Sequence, residues 1–320
     1  MIIQILLLIA GLLLILWGAN WLVDGSSSIA KKTGMSEFII GLTIVGIGTS
    51  TPEMVVSFIS SLQGKADMAI GNIVGSNIFN IFVILGITAI ISPLVITKES
   101  LKRDIPLNIG VTALLITLGM KGTLFGLGCD SLTRVDGLIM LTIMALYFRM
   151  LLKQPNNIDE GSDDEESTKV ISTGMSIVLI LVGLACLVFG GKLFVDAATE
   201  IALYYEMSEK FIGLTIMAAG TSLPELATSV VAAIKGKGQL ALGNVIGSNI
   251  SNILLILGGS ALINPLSFGS MTSVDLGVVI TGAIFLFISA FIFKKNMLGR
   301  IEGAILLLLE AGYMTWLFMN

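Results

Sequence analysis

Two glutamates sit inside stretches otherwise suited to lipid, and both are framed in the same way. Gly41-Leu-Thr-Ile-Val-Gly-Ile-Gly-Thr-Ser-Thr-Pro-Glu53 recurs as Gly213-Leu-Thr-Ile-Met-Ala-Ala-Gly-Thr-Ser-Leu-Pro-Glu225. A carboxylate in membrane-spanning sequence is expensive, which points to binding rather than packing. In each copy a proline removes an amide donor, and glycines weaken the helix ahead of it. Carbonyls between Gly46 and Thr49 should therefore be freed, and in a membrane they need another partner. A desolvated cation is a good one, because carbonyl, hydroxyl and carboxylate oxygens can replace its water. Ala218, Gly220, Thr221, Ser222, Pro224 and Glu225 repeat the arrangement.

More oxygens follow each copy. Gly71-Asn72-Ile-Val-Gly75-Ser76-Asn77-Ile-Phe-Asn80 matches Gly243-Asn244-Val-Ile-Gly247-Ser248-Asn249-Ile-Ser-Asn252. Ser76 and Asn80 are four apart and share a helical face, as do Ser248 and Asn252, with Asn72 and Asn244 one turn further back. The glycines of this stretch should let helices approach closely. The chain has no histidine, and its two cysteines stand in separate regions. A hard, all-oxygen donor set favours Ca2+, Na+ or Mg2+ over zinc or copper. Six or more oxygens suit Ca2+ better than Mg2+, which keeps its waters.

The elements that must carry these residues are membrane helices. The composition is 55% hydrophobic and 12% charged, with mean hydropathy +0.97, against about 25% charged in soluble domains. Ten spans fit, at approximately 2–24, 36–62, 67–91, 104–122, 133–152, 170–197, 209–234, 240–264, 274–293 and 299–318. No basic residue precedes Lys31, so the first apolar stretch reads as a retained helix, not a cleaved signal. The motifs repeat at a constant offset of 172, which also pairs Gly18 with Gly190, Asp24 with Asp196 and Pro93 with Pro265. The chain thus divides into a five-helix repeat at 1–152, an acidic linker at 153–169 and a second five-helix repeat at 170–320. An odd number of spans per repeat forces opposite insertion, so the expected fold is an all-α membrane protein of two inverted repeats. Helices 2 and 7 should be broken at the midplane, where Glu53 and Glu225 meet.

Charge gives sidedness. Lys31, Lys32, Lys98, Lys102, Arg103, Arg149, Lys153, Lys169, Lys235, Lys237, Lys294, Lys295 and Arg300 fall in loops on one side, which should be cytoplasmic. Both termini are then extracytoplasmic, the linker, with Asp159, Glu160 and Asp163 to Glu166, is a solvated cytoplasmic connector, and the chain is expected in the cell (plasma or inner) membrane. Asp24, Asp196, Glu37 and Glu209 read as helix-end residues. Glu310 stands in the last span without an alignable counterpart or a role. The residue types exclude several classes. No phosphate-binding Gly-x-x-x-x-Gly-Lys-Ser/Thr string occurs. No histidine base serves a serine enzyme, and no basic aromatic surface suits nucleic acid. The reading is a carrier rather than an enzyme, without cofactor.

Gly-Thr-Ser-x-Pro-Glu followed by Gly-Asn-x-x-Gly-Ser-Asn, each present twice, resembles the two repeats of the cation/Ca2+ exchanger superfamily, with prokaryotic sodium/calcium exchangers the most similar. The resemblance implies Ca2+ binding by Glu53, Glu225 and the carbonyls of Thr49 and Thr221. It implies sodium sites that share the glutamates and add Ser50, Ser222, Ser76, Ser248, Gly46 and Ala218. It also implies a pathway within one chain, embedded in the bilayer, with the first and sixth helices sliding on the rest. Sodium-type members often have Asp where this chain has Asn252, and Asn80 is its twin here. The expected function is therefore Ca2+/Na+ antiport, with Ca2+/H+ or K+-dependent exchange as the alternative.

Overall fold

The structure is a computed structural model and describes residues 2–126, 128–153, 171–207, 218–268, 271–292 and 296–319. The linker beyond Lys153, Glu209 and the start of the second motif (213–217) lie outside the described residues. Eleven principal helices are named here: α1 (Ile2–Thr33), α2 (Glu37–Thr49), α3 (Thr51–Leu62), α4 (Ala66–Ile91), α5 (Ile105–Gly119), α6 (Arg134–Leu152), α7 (Thr173–Tyr204), α8 (Leu223–Ile234), α9 (Gly238–Ile263), α10 (Ser273–Ile292) and α11 (Arg300–Met319). Helix occupies the described part of each expected span. Among the described residues, α1, α4, α6, α7, α9 and α10 are each long and apolar enough to cross a membrane, and α2 with α3 forms a seventh such span, bent by 48°. The chain is an integral membrane protein.

The strand content is small: β1 (Leu94–Val95), β2 (Ser131–Leu132), β3 (Leu266–Ser267) and β4 (Met297–Leu298). β1 pairs antiparallel with β4 and β2 with β3, each pair only two residues long. Gly64 and Gly236 turn the chain before α4 and α9 at φ +70° and +73°, a conformation that a Cβ would strain.

Contacts divide the chain into two compact units, Met1–Pro52 with Pro155–Val245 and Glu53–Gln154 with Ile246–Asn320. Each takes part of both sequence repeats. In the first unit α1 and α7 run antiparallel and touch backbone to backbone. A Cβ on Gly11 would stand 2.8 Å from the Gly190 carbonyl oxygen, and one on Gly18 would stand 2.7 Å from that of Gly183. The offset of 172 exchanges these two contacts, since Gly11 maps to Gly183 and Gly18 to Gly190. Both helices overrun their expected ends, which places Asp24 and Asp196 inside them rather than at helix ends. Asp24 is tolerated there because its half-exposed carboxylate meets Lys235 at 2.7 Å. Glu37 does begin a helix, which Ser36 caps by accepting from the Ile39 amide, and it pairs with Lys237 at 3.0 Å.

The second unit repeats a contact set in the same way. Gly137 approaches the Gly258 carbonyl and Gly303 that of Gly86, leaving only 2.5 and 2.6 Å for a Cβ. Arg134 Nε donates to Leu262 O and Arg300 Nε to Ile90 O. Tyr147 donates to Asp104 and Tyr313 to Asp275, both at 2.7 Å. Here α6 matches α11 at an offset of 166.

Candidate cation site

Both proline-glutamate motifs break the helix at the serine. Ser50 and Ser222 have (φ, ψ) of (−76°, 12°) and (−88°, 6°). A new helix starts at the next residue, so each proline falls in a first turn, where its missing N–H costs little. Glu53 and Glu225 are then third in α3 and α8, near the positive end of each helix dipole, which favours a carboxylate. Both are buried, at 1% and 0% exposure. Pro52 cannot donate to Gly48 O, and the Thr51 hydroxyl takes that carbonyl at 2.7 Å. The Gly46 carbonyl accepts from the Ser50 amide at 3.3 Å and from the Thr49 hydroxyl at 3.4 Å. Side chains thus occupy part of what sequence alone suggested would be free.

In the first unit, Ser50 Oγ donates to Glu225 Oε1 at 2.8 Å. Thr49 Oγ1 donates to Asn244 Oδ1 at 3.1 Å. Asn244 Nδ2 in turn donates to Glu225 O at 3.3 Å and to Ser229 Oγ at 2.9 Å. Ser222 is fully buried, and Thr221 is half-buried with a hydroxyl that has no hydrogen-bond partner. Ala218 opens the short helical turn Ala218–Thr221. In the second unit the asparagine bonds recur around Glu53. Ser76 Oγ donates to Glu53 Oε1 at 3.3 Å, and Asn72 Nδ2 donates to Glu53 O at 3.2 Å and Ser57 Oγ at 3.0 Å. Asn72 and Asn244 are therefore braces that give N–H groups, not the further oxygen ligands that their helical face suggested.

Sequence reasoning gave no role to Asn77 and Asn249, and the structure gives them one. Asn80 Nδ2 donates to Asn249 Oδ1 and Asn252 Nδ2 to Asn77 Oδ1, both at 3.0 Å. These bonds commit the nitrogens of Asn80 and Asn252 and leave their buried Oδ1 atoms without a hydrogen-bond partner. An orphaned buried carbonyl oxygen is what a cation ligand presents before its ion arrives. The signal was available in the repeated Gly-Ser-Asn-x-x-Asn spacing, which puts Asn77 and Asn80 one turn apart. Ser248 is fully buried on the same helix as Asn252. The expected close approach at Gly75 does not occur: it is exposed, with no described atom within 4 Å of a Cβ built there. Gly243, by contrast, lies against the Phe38 carbonyl, 2.2 Å from a built Cβ.

The helices α2, α4 and α9 each contain a π-helical segment, at Gly41–Val45, Asn80–Ile84 and Asn252–Leu257. Such wide turns loosen backbone pairing and recur at functional sites. Among the described residues no group of three or more His, Cys, Asp or Glu side chains could hold a metal ion. Any cation held by the motif residues would therefore meet few charged ligands and many neutral oxygens.

Known proteins carry this architecture. The family model described as "Sodium/calcium exchanger protein" matches residues 3–153 and 175–319. The chain belongs to the sodium/calcium exchanger family. It is 34% identical to the sodium/calcium exchanger MaX1 of Methanosarcina acetivorans over 99% of both chains. It is 35% identical to the inner membrane protein YrbG of Escherichia coli over 98% of this chain and 95% of that one. Solved structures of the sodium-calcium exchanger NCX_Mj superpose with TM-scores of 0.83 and 0.84 at 33% and 34% identity, covering 98% of both chains. One was soaked with 2.5 mM Na+ and 0.1 mM Ca2+, the other with 10 mM Na+ and no Ca2+.

Proposed function

We propose that this protein is a secondary active antiporter exchanging Ca2+ for Na+ by alternating access, with Glu53 and Glu225 sharing the transported ion. One observation carries the reading: Ser50, of the first motif, is bonded to the carboxylate of the second at 2.8 Å. Covalent continuity sets Glu53 three residues after that serine. Two carboxylates in low dielectric repel, and one divalent ion or several sodium ions would neutralise them. Thr49, Thr221, Ser50, Ser222, Ser76, Ser248, Asn80, Asn252, Gly46 and Ala218 complete the proposed ligand set. Sodium and Ca2+ then compete for one neutralisation, and an empty charged site is a poor passenger across the apolar barrier. The substrate is an inorganic ion, so no cofactor is invoked and no bond is made or broken.

The proposed architecture is ten spans in two inverted repeats, 1–152 and 170–320, joined by a cytoplasmic linker at 153–169, with both termini extracytoplasmic and one chain sufficient for transport. The antiparallel pairing of the homologous helices α1 and α7 supports it. So does the exchange of contacts under the repeat offset, Asn77–Asn252 for Asn249–Asn80. The expected sliding elements are α1 and α7.

The test is radiolabelled Ca2+ uptake into proteoliposomes with Na+, K+ and H+ gradients imposed one at a time. Uptake should follow the sodium gradient at fixed pH. A second reading, Ca2+/H+ or K+-dependent exchange, draws on the amides at Asn80 and Asn252, which leave only two proposed ligand charges. Uptake that ignores sodium and follows pH, or that requires K+, would replace the first reading with the second.

A further inference from the structure

The two repeats differ at one buried position in a way that the exchange reaction does not use. At the offset of 166, Arg134, Gly137, Leu141 and Tyr147 of α6 match Arg300, Gly303, Leu307 and Tyr313 of α11. The matched residues make matched contacts: arginine to a carbonyl, glycine against glycine, tyrosine to a buried aspartate. Between them, Met144 matches Glu310. Met144 is an ordinary core residue, 5% exposed. Glu310 is as buried, at 6%, and neither of its carboxylate oxygens has a hydrogen-bond partner.

Gly303, Leu307 and Glu310 are spaced four and three apart and share one face of α11. Gly303 and Leu307 rest on α4 at Gly86. The half of α4 against which α11 packs, Asn80–Ile91, contains no ionisable side chain. The other neighbour, α10, brings only Asp275, which already accepts from Tyr313 and from Thr272. On α11 itself, Tyr313 lies one turn from Glu310 and gives its hydroxyl to Asp275, while Glu302 caps the Gly299 amide and Arg300 Nε is bonded to Ile90 O, both more than one turn away. Among the described residues of these neighbouring elements, no positive charge stands beside Glu310. A metal ion would need several further oxygens around the carboxylate. A proton needs only the carboxylate.

We propose that Glu310 is a proton-binding site: a buried carboxyl that keeps α11 seated on α4 while it carries a proton and loosens that contact when it ionises. An unpaired carboxylate in such surroundings is costly, and one proton removes its charge. Because the folded chain would hold a proton that the unfolded chain releases, stability falls as pH rises. The ligand class is H+, and the site acts on the carrier's stability and rate rather than on its cargo.

Three proteins test this: wild type, Glu310→Gln and Glu310→Met, the last restoring the residue of the twin position. Infrared difference spectroscopy should show a protonated carboxyl band in wild type that alkaline titration removes and that both variants lack. Thermal stability and exchange, measured with pH equal on both sides, should fall in wild type as pH rises from the ordinary carboxylate range until Glu310 has ionised, and that fall should be missing in Glu310→Met. Absence of a band lost with Glu310, or superimposable stability profiles for wild type and Glu310→Met, would overturn the proposal. Loss of the band on adding Na+ at fixed pH would also overturn it, by assigning the site to sodium. The infrared and thermal readouts do not depend on which ions the protein exchanges, so they stand apart from the transport reading.

Discussion

Asn244 and Asn72 occupy twin positions but should not be equally important. Asn244 is fully buried and makes three side-chain hydrogen bonds, to Thr49 Oγ1, Glu225 O and Ser229 Oγ. Asn72 is half-buried and makes two, to Glu53 O and Ser57 Oγ. At about 0.5–1.5 kcal/mol net per bond, Asn244→Ala should cost about 1.5–4.5 kcal/mol, since no solvent reaches the groups it leaves behind. At Asn72 water can replace part of what is lost, so Asn72→Ala should cost about 0.5–2 kcal/mol. The gap of about 1–2.5 kcal/mol corresponds to roughly 5- to 60-fold in an equilibrium constant. Apparent Ca2+ affinity from flux, with thermal unfolding in detergent alongside, reads both variants on one scale. Asn244→Asp separates the parts further, since it keeps an acceptor for Thr49 but loses both donated bonds. Equal losses in the two alanine variants, or a greater loss at Asn72, would refute the argument that burial and bond count set the rank.

Glu53→Gln or Glu225→Gln should abolish Ca2+ transport without impairing membrane insertion, and wild-type flux in either would remove that carboxylate from the ion's path. Asn252→Asp adds a charge where an amide now donates to Asn77, so the sodium or pH dependence of uptake should shift; an unchanged profile would place Asn252 outside the site. Tyr147→Phe removes a 2.7 Å bond to the fully buried Asp104 and should cost about 1.5–3 kcal/mol of stability, read by thermal unfolding, with unchanged unfolding showing that Arg103 alone satisfies the aspartate.

The parts of the fold that sequence revealed are those where chemistry is costly in lipid. A buried acid after Ser-x-Pro cannot be accidental, so Glu53, Glu225 and the helix break could be placed by reading alone. The helices followed from apolar runs, yet the ends of α1 and α7 did not. Asp24 looked like a stop, but a nearby lysine and partial exposure let it ride inside a helix, while Ser26, Ser27 and Ser28 beyond it are fully buried. The π-helical segments have no sequence signature and were not foreseen. The asparagines show the same limit. Their spacing gives a shared face, but only the bonding partners decide that Asn72 and Asn244 donate hydrogen bonds to the glutamate carbonyls while Asn80 and Asn252 keep their oxygens spare. The match of Glu310 to Met144 escaped notice because that part of the repeat runs at an offset of 166, not 172.

The glycines between α1 and α7 carry a mechanical consequence. At Gly11, Gly18 and Gly25 the atoms nearest across the seam are backbone, with Cys186 and Ile180 packed alongside, so little bulk separates the two rods at these stations. The seven-residue rhythm of Gly11, Gly18 and Gly25 offers several shallow rests rather than a single deep one. Under the sliding proposed for α1 and α7, such a pair would behave less like a clasp than like a drawer on its runner. The same absence of bulk means that a single added methyl at any of these stations would act as a brake on both rods at once.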